Sequence, residues 1–299
     1  MKKYFITALL LNFIFSQNSY DVLRPFWGFS HSQILSNSIG GASVASGYIT
    51  PGLSTNPANL ASTQFTFIQL NFSSSEFSSA SSTISNTGFN GIDFVQPVPV
   101  YKGRLVVSGG AHKSLDYMSA SESNIFNYSE KGHMTSYHAA AAVEFAKNLY
   151  FGADIKVLSG SDVMTEFAQD STFHFEPSYT GVGITFGLLH PISKYFQYGL
   201  SIDMPVSIDV EDKFTYSNHI DSDHSFSDTW YYNVTKPPTI HAGGALLLNM
   251  INLFYELEYT DWRGLEFSSD DIYEEDLELP ASVLINHEIR QTFDPTSSH

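Results

Sequence analysis

The sequence predicts an all-β fold, an antiparallel transmembrane β-barrel with an N-terminal plug. The first observation is compositional, because aromatic and charged residues each make up 15% of the 299 residues, whereas a soluble domain carries about 25% charged residues. The second is an alternation of apolar and polar side chains from residue 63 onward, which is the period of a strand with two different faces. The third is a sorting of the connections into short turns and long polar segments, which is typical of outer-membrane barrels.

The chain begins with a segment that has the features of a secretory signal peptide. Lys2 and Lys3 form a charged start, residues 4–15 are almost wholly apolar, and Ser16 is a small residue suited to a cleavage point. We therefore expect residues 1–16 to be a signal peptide and the chain to be exported to a Gram-negative type of outer membrane. No apolar run of 18 residues follows, so no transmembrane helix is predicted.

Residues 17–62 are predicted to form the plug, named here the hatch. The stretch 38–61 within it is poor in charge, rich in Gly, Ala and Ser, and lacks the alternation of the later segments. Its marker residues are Gly40, Gly41, Ala42, Asn56, Pro57 and Ala58. Because proline restricts the backbone, we expect Pro57 to set the bend before the first strand.

Residues 63–299 are predicted to form the barrel. Each alternating segment is about ten residues long, which is the length that a tilted strand needs to cross a bilayer and is longer than the strands of most soluble sheets. The predicted strands number about ten and cover 63–72, 89–98, 104–117, 134–146, 149–160, 178–190, 195–206, 238–248, 251–261 and 280–290. The polar end of the sequence has no aromatic terminus, from which we expect a barrel that is truncated at its C-terminus; the alternative is a barrel that closes at ten strands.

Long polar connections are predicted on one rim of the barrel and tight turns on the other. The long connections are 118–133, 160–178, 207–238 and 261–279, and the tight turns lie at 147–148, 191–194 and 249–250. A soluble sandwich has no physical reason to sort its connections in this way, so the sorting favours a membrane barrel.

The hatch markers and the strand pattern resemble those of the FadL/TodX-type family of outer-membrane transporters for long-chain fatty acids and hydrocarbons. The resemblance rests on the Gly- and Ala-rich hatch with its Asn56-Pro57-Ala58 motif, and on the aromatic and acidic strand end YELEYTDW at 255–262. It covers the whole mature chain through short motifs. A barrel of this family has fourteen strands, so the resemblance implies that about ten of fourteen are present.

The resemblance implies passive uptake of hydrophobic small molecules. Members of the family capture a ligand between extracellular loops and release it sideways through a gap beside a kinked third strand. The third strand here is 104–117, and the adjacent Gly109 and Gly110 weaken its ladder and permit a kink that would form the lateral opening. An alternative is that the same glycines accommodate a closely packed hatch.

Aromatic residues in the long polar connections are candidates for the ligand-binding groove. They are Phe167, Phe173, Phe175, Phe214, Tyr216 and Phe226. Aromatic side chains in otherwise polar segments can form an apolar cleft. Aromatic residues also form girdles at the membrane interface, and residues 230–232, near the start of a strand, fit a girdle better than the groove.

The sequence contains no catalytic or cofactor motif. Cysteine is absent, and neither a Gly-x-Ser-x-Gly elbow nor a His-Glu-x-x-His helix occurs. The acidic run within 270–278 and the group Asp221, Asp223 and His224 lack the fixed spacing of a calcium or zinc site. His112 and His138 face the predicted lumen, where we expect them to be solvated. The sequence therefore predicts no enzyme, no cofactor and no metal site.

The acidic composition limits the partners. The formal charge is −17, with 14 Lys and Arg against 31 Asp and Glu, which leaves nothing to neutralise a run of phosphates and argues against nucleic-acid binding. The predicted partners are a hydrophobic small-molecule ligand and outer-membrane lipid, with the chain as a monomer. Two other functions stay open, namely a related barrel that serves as a protein-binding secretion shuttle, and a secreted β protein with a structural or adhesive role.

Overall fold

The computed structural model describes residues 24–26, 29–30, 40–47, 55–78, 83–122, 126–168, 170–220, 224–248, 251–269, 281–292 and 296–298. The predicted signal peptide and a large part of the predicted hatch lie outside these ranges. So do the acidic run within 270–278 and the residues Asp221 and Asp223. Within the described ranges, no helix is long and apolar enough to cross a membrane.

Fourteen β-strands of the described part form one antiparallel sheet. They are β1 (Phe29–Ser30), β2 (Phe67–Ser78), β3 (Thr83–Val98), β4 (Leu105–Glu122), β5 (Phe126–Ala146), β6 (Leu149–Ala168), β7 (Ser171–Pro191), β8 (Phe196–Asp203), β9 (Val206–Asn218), β10 (Phe226–Lys236), β11 (Thr239–Leu247), β12 (Asn252–Thr260), β13 (Glu266–Ser268) and β14 (Thr296–Ser298). The helical elements described are the 3₁₀ helices η1 (Arg24–Phe26), η2 (Pro57–Ser62) and η3 (Trp262–Gly264), and the α-helix α1 (Ala281–Thr292).

The sheet is a meander in which consecutive strands pair from β2 to β8. β8 pairs next with β11, β11 with β12, and β12 with β14. The β9–β10 hairpin extends the sheet at one rim, because β9 pairs with the first half of β7 and β10 pairs with β9. The predicted all-β, antiparallel architecture is therefore confirmed.

Nine of the ten predicted strands are present, and the tenth prediction is wrong. The described residues of the segment 280–290 belong to helix α1 (Ala281–Thr292) rather than to a strand. Its residues Ile285 and Ile289 are four positions apart, so the helix places both on one face, where both are buried. The predicted connection 207–238 contains the β9–β10 hairpin. The predicted connections 118–133 and 160–178 are mostly continuations of the wall strands β4 to β7.

The two faces of the sheet have the reverse polarity of a soluble β-sandwich. Large apolar side chains exposed on the outer face include Ile68, Leu70, Ile92, Phe94, Phe151, Ile155, Val182, Ile184, Leu200 and Leu253. Polar side chains buried on the inner face include Asn71, Asp93, Ser108, Ser136, His138, Asp154, Thr185, Gln197, Ser201 and His241. This polarity is that of a membrane barrel, in which lipid contacts the outside.

The outer apolar band ends partway along the longest strands. On β7 the outward residues Val182 and Ile184 are apolar, whereas Ser178 and Thr180, nearer the β6–β7 turn, are polar. The outward residues of β5 change in the same direction, since they are apolar over 137–145 and polar over 127–135. The strand ends beyond this change, named here the outer rim, therefore lie beyond the apolar band.

Prolines interrupt two long strands near the outer edge of the apolar band. Pro205 separates β8 from β9, and Pro237 and Pro238 separate β10 from β11. Proline has no N–H for the ladder, so it interrupts strand pairing. Across Pro205 the inward face passes from odd-numbered to even-numbered residues, and Asp203 and Ile208 therefore both face inward.

A β-bulge in β4 changes which residues of that strand face inward. The pairing of β4 with β5 shifts between Lys113 and Leu115. The alternation in the sequence predicts Leu115 and Tyr117 on the same face as Leu105 and Val107. The extra residue of the bulge turns them inward instead, where Tyr117 is buried. This part of the prediction is wrong because the extra residue of the bulge exchanges the inward and outward positions of the strand beyond it.

Candidate functional site

Two pieces of the predicted hatch, residues 43–47 and 55–63, lie against the inner face of the sheet and are named here the inner segment. Nearly all of their side chains are buried. Helix η2, which lies in the second piece, contacts β5, β6 and β7. The inner segment therefore occupies the lumen at the level of the apolar band.

The Asn56-Pro57-Ala58 motif begins helix η2. The side-chain oxygen of Asn56 accepts a hydrogen bond from the Ala58 N–H at 3.0 Å, which is the action of a helix N-cap. Pro57 occupies the first helical position. Its fixed φ suits a helix there, and the N–H that proline lacks would have no partner within the helix. The motif is therefore a local folding signal.

Two buried asparagines connect the pieces of the inner segment to each other and to the wall. The amide of Asn56 donates to the backbone oxygen of Val44 at 2.7 Å and to that of Leu188, in β7, at 2.9 Å. The amide of Asn59 donates to the backbone oxygen of Ser43 at 2.9 Å. Both asparagine side chains are fully buried, so an apolar side chain in either place would remove a donor from buried carbonyl oxygens.

Glycines on the inner face of the wall make room for the inner segment. A methyl group at Gly187 would overlap the Asn56 side chain, and one at Gly152 would overlap the backbone of Pro57 and Ala58. Gly152 and Gly187 are paired with each other across β6 and β7. They therefore form one depression that receives the start of η2.

The other predicted hatch markers form a turn at the edge of this packing. Gly40 and Gly41 are exposed and have positive φ angles of 71° and 83°, which glycine adopts without strain. Ala42, which follows, is half-buried. The turn leads into the inner segment, and a role of these three residues in opening or closing a hatch stays a prediction.

A series of polar side chains runs around the inner face of the sheet from β2 to β12. Its members, named here the polar belt, are Asn71, Asp93, His138, Asp154, Lys156, Thr185, Asp203, His241 and Glu256. They occupy inward-facing positions, and most of them are buried. Buried charged groups require such pairing, because an unpaired charge out of contact with water is costly.

The first half of the belt joins β3 to β7. The Nε2 of His138 lies 2.7 Å from Oδ1 of Asp93, and its Nδ1 lies 3.7 Å from Oδ1 of Asp154. The ammonium group of Lys156 lies 3.4 Å from Asp154 and donates to the Thr185 hydroxyl at 3.1 Å. His138 is thus held between two carboxylates.

The second half of the belt reaches the inner segment. The hydroxyl of Thr185 donates to Asp203 at 2.5 Å. The ring of His241 lies between Asp203, at 3.4 Å, and Glu256, at 3.1 Å. The other carboxylate oxygen of Glu256 accepts the N–H of Val44 at 2.8 Å. The belt therefore links the wall strands to the inner segment.

Aromatic side chains meet on the inner face of the outer rim, where β7, β9 and β10 extend beyond the apolar band. The members of this aromatic cluster are Phe173, Phe175, Phe214, Tyr216, Phe226 and Trp230. Phe214 is buried at its centre, with its ring centroid 4.8 Å from that of Phe175 and 5.6 Å from that of Phe226. The cluster brings together all but one of the predicted ligand-binding residues.

Trp230 belongs to the cluster rather than to an interfacial girdle. Its ring stacks on Phe214 with a centroid distance of 5.5 Å and an interplanar angle of 14°. The sequence carries a signal for this, because residues 226 and 230 share one face of a strand. Phe167 lies apart from these ring contacts, opposite Thr172 at the end of the β6–β7 hairpin, with 48% of its surface exposed.

A cleft of about 440 Å³ lies at the outer rim, on the outer face of β7, β9 and β10. Most of its lining, including His174, Lys213 and Thr229, comes from outward-facing positions of these strands. Phe214 contributes to the lining from the inner face. The cleft is therefore largely separate from the aromatic cluster, which lies on the inner face.

An ion pair joins η1 to the inner face of β6, between the levels of the aromatic cluster and the polar belt. Arg24 of η1 donates to the carboxylate of Asp162, in β6, at 2.9 Å, and that carboxylate is fully buried. The hydroxyl of Tyr117 donates to the backbone oxygen of Pro25 at 3.2 Å. Burial lowers the pKa of Arg24, but the neighbouring Tyr179 and Asp162 more than offset burial, so the pKa lies above its usual value. The guanidinium therefore stays charged and holds η1 in place.

Strands β3 and β4 separate near the outer edge of the apolar band. Their described pairing ends at Gly91 and His112. Beyond that point β3 pairs with β2, β4 pairs with β5, and β1 pairs with β4 at Leu115 and Asp116. A gap thus opens between β3 and β4, and β1 covers part of it.

The predicted kink residues Gly109 and Gly110 lie close to this gap. Both pair in regular register with β3 and with β5. The irregularity in β4 falls farther along, between Lys113 and Leu115. A role of Gly109 and Gly110 in lateral release stays a prediction.

Comparison with solved structures identifies the fold of this chain. No protein-family profile matches the sequence, and no curated protein matches it significantly. The structure is similar to that of the toluene transporter TodX of Pseudomonas putida, with 12% identity, a TM-score of 0.54, and coverage of 81% of this chain and 74% of TodX. It is also similar to the monoaromatic hydrocarbon channel CymD, with 10% identity, a TM-score of 0.52, and coverage of 80% and 73%. The predicted barrel fold of the TodX type is therefore confirmed, and both of these proteins are transport channels rather than enzymes.

Proposed function

We propose that this protein is an outer-membrane channel for passive uptake of hydrophobic small molecules. The observation that carries the proposal is the aromatic cluster, which presents apolar rings to the inner face of the outer rim, whereas a water-filled pore is lined by polar groups. The outward apolar band supports a location in the outer membrane. The fold shared with two hydrocarbon channels supports the ligand class.

An aromatic hydrocarbon suits the aromatic cluster better than a fatty acid does. Offset and edge contacts between rings add to the free energy of apolar burial. A fatty acid would also need a partner for its carboxylate. Lys213, which precedes Phe214 in β9, faces outward and already lies 3.5 Å from Glu211. We therefore propose that the chain prefers aromatic hydrocarbons to long-chain fatty acids as ligands.

The route that we propose begins at the aromatic cluster and ends at the gap between β3 and β4. The inner segment packs against the inner face of the wall below the cluster, and we propose that it obstructs a straight path through the barrel. An apolar molecule gains free energy when it moves from water to an apolar environment. Sideways release through the gap into the membrane therefore needs no energy source other than the concentration gradient.

Binding and uptake measurements test this function. The purified chain in detergent should bind toluene, measured through the change in tryptophan fluorescence. Gram-negative cells that lack a hydrocarbon channel of their own should take up labelled toluene faster when they express this chain, while uptake of a hydrophilic sugar stays unchanged. Absence of binding to any aromatic hydrocarbon or fatty acid, together with uptake equal to that of the empty-vector cells, would contradict the proposal.

A further inference from the structure

Asp93, His112 and His138 come together from the adjacent strands β3, β4 and β5. Gly110 of β4 is paired with Asp93 on one side and with His138 on the other. Because Gly110 has no side chain, Asp93 and His138 reach each other across β4, at 2.7 Å. A methyl group at Gly110 would lie only 2.6 Å from Oδ1 of Asp93. The ring of His112 lies beside that of His138, with their centroids 5.4 Å apart.

This group is buried and has bonding capacity that the described residues leave unused. The side chains of His138 and Asp93 are 0% and 3% exposed. The Nδ1 atoms of His112 and His138 are buried and have no hydrogen-bond partner within the described ranges. The carboxylate of Asp154, whose Oδ1 lies 3.7 Å from Nδ1 of His138, also makes no hydrogen bond there, although Lys156 lies 3.4 Å away. Buried polar atoms nearly always have partners in folded proteins. Nδ1 of His112 is therefore open to an additional group, whereas Nδ1 of His138 faces Asp154.

We propose that Asp93, His112 and His138 bind one divalent transition-metal ion, with Zn²⁺ as the ion that fits best. One donor atom from each residue lies within 4.8 Å of the other two. Zinc bonds of about 2.0–2.2 Å place tetrahedral ligands within that separation of one another. Two imidazoles and a carboxylate favour zinc over Mg²⁺ and Ca²⁺, which prefer oxygen ligands throughout.

Asp154 occupies the position of a supporting residue behind the metal ligands. When Nε2 of His138 faces the ion, its Nδ1 carries the hydrogen and faces Oδ1 of Asp154, 3.7 Å away. A carboxylate in that position fixes the tautomer and the orientation of a metal-binding histidine. Entry of the ion requires Nε2 of His138 and Oδ1 of Asp93 to move apart from their separation of 2.7 Å.

The site lies where β3 and β4 part. His112 is the last described residue of β4 that pairs with β3. A bound ion would join β3, β4 and β5 at the inner end of the gap, where the backbone hydrogen bonds between β3 and β4 cease. The ion would therefore brace the wall beside the gap. This inference does not depend on the proposed uptake function, and each can fail without the other.

Metal titration of the full chain tests the site. The tag-free protein, purified in detergent and stripped with a chelator, is titrated with Zn²⁺ in a calorimeter and with Co²⁺ in a spectrophotometer. We expect one ion per chain and visible Co²⁺ absorption typical of tetrahedral coordination. His112→Gln should lower the affinity by about tenfold or more, and Asp154→Asn by about 10–100-fold. The matched control is His133→Gln, an exposed histidine of β5, which should bind as the unmodified chain does.

The fold of each variant is checked by the shift of its gel mobility on heating. His112→Gln and Asp93→Asn decide the outcome if substitution of the more buried His138 prevents folding. The proposal is overturned if the unmodified chain binds no Zn²⁺. It is equally overturned if folded His112→Gln and Asp93→Asn bind Zn²⁺ with the stoichiometry and affinity of the unmodified chain, since the ion would then lie elsewhere.

Discussion

Glu256 of β12 accepts a hydrogen bond from the backbone N–H of Val44 at 2.8 Å. This contact is the point at which the polar belt of the wall meets the inner segment. Because His241 lies 3.1 Å from the other oxygen of the same carboxylate, the position of the inner segment is coupled to the ion pairs of the wall. A change in the belt is therefore expected to alter how firmly the lumen is obstructed.

Replacement of Glu256 should weaken the structure more than replacement of its neighbour on the same strand face. Glu256→Ala removes hydrogen bonds to a charged group and should lower the free energy of unfolding by about 1.5–3 kcal/mol. Glu258→Ala, whose side chain is 49% exposed and lies 3.9 Å from His241, should cost less than about 1 kcal/mol. Urea unfolding followed by tryptophan fluorescence measures both values. Equal effects would show that Glu256 does not hold the inner segment.

Loss of the Asn56 side chain should loosen the inner segment. Asn56→Ala removes the donor to Val44 and Leu188 and the cap of η2, so we expect a loss of about 1–3 kcal/mol in unfolding free energy. The ion conductance of the chain in a planar bilayer should rise at the same time, because the obstruction becomes mobile. Asn252→Ala, at an exposed position, is the control. A conductance that does not change would mean that the inner segment is held by other contacts.

A methyl group in the wall depression should displace the start of η2. Gly187→Ala places a Cβ where the Asn56 side chain lies, and overpacking of this kind costs about 1–3 kcal/mol. Gly88→Ala provides the comparison, because a Cβ at Gly88 meets nothing within 4 Å. The midpoint of urea unfolding should fall for the first variant and stay nearly constant for the second. The reverse order would argue against close packing of η2 in this depression.

Charges in the aromatic cluster should abolish ligand binding. Phe214→Asp combined with Phe226→Asp puts two carboxylates among the rings, and we expect the affinity for toluene to fall by more than about tenfold, since burial of charge among apolar groups is unfavourable. Tyr101→Asp, at a fully exposed residue in the turn between β3 and β4, is the control. Because Phe214 is buried, Phe226→Asp alone is measured too. Undiminished binding by the folded double variant would place the ligand site elsewhere.

The alternation in the sequence identifies most of the wall because the direction of a side chain on a strand is a local property. It fails at 281–292 because Val283, Ile285 and Ile289 fit a period of two as well as a helix. Packing decides between them, since the Asn286 side chain accepts from the N–H of Phe267 and donates to its carbonyl oxygen, both at 2.8 Å. Such a contact spans 19 positions along the chain and has no local signal.

The aromatic residues of the outer rim were predictable one by one but not as a cluster. Phe214 and Phe226 stand out in the sequence because they interrupt polar segments. Their contact depends on the β9–β10 hairpin, in which Phe226 is paired with Tyr216. Because the sequence shows these strands as a long connection, the stacking of Trp230 on Phe214 follows only from the pairing register.

By itself, the sequence determined the all-β class and the reversed polarity of the wall, because the alternation of side chains acts between residues close together in the chain. Only the tertiary structure decided the polar belt and the grouping of Asp93, His112 and His138. These residues carry no shared spacing, and they meet because strand register places Gly110 between Asp93 and His138 and leaves room across it. Register is set by pairing along whole strands, which no short segment of sequence specifies.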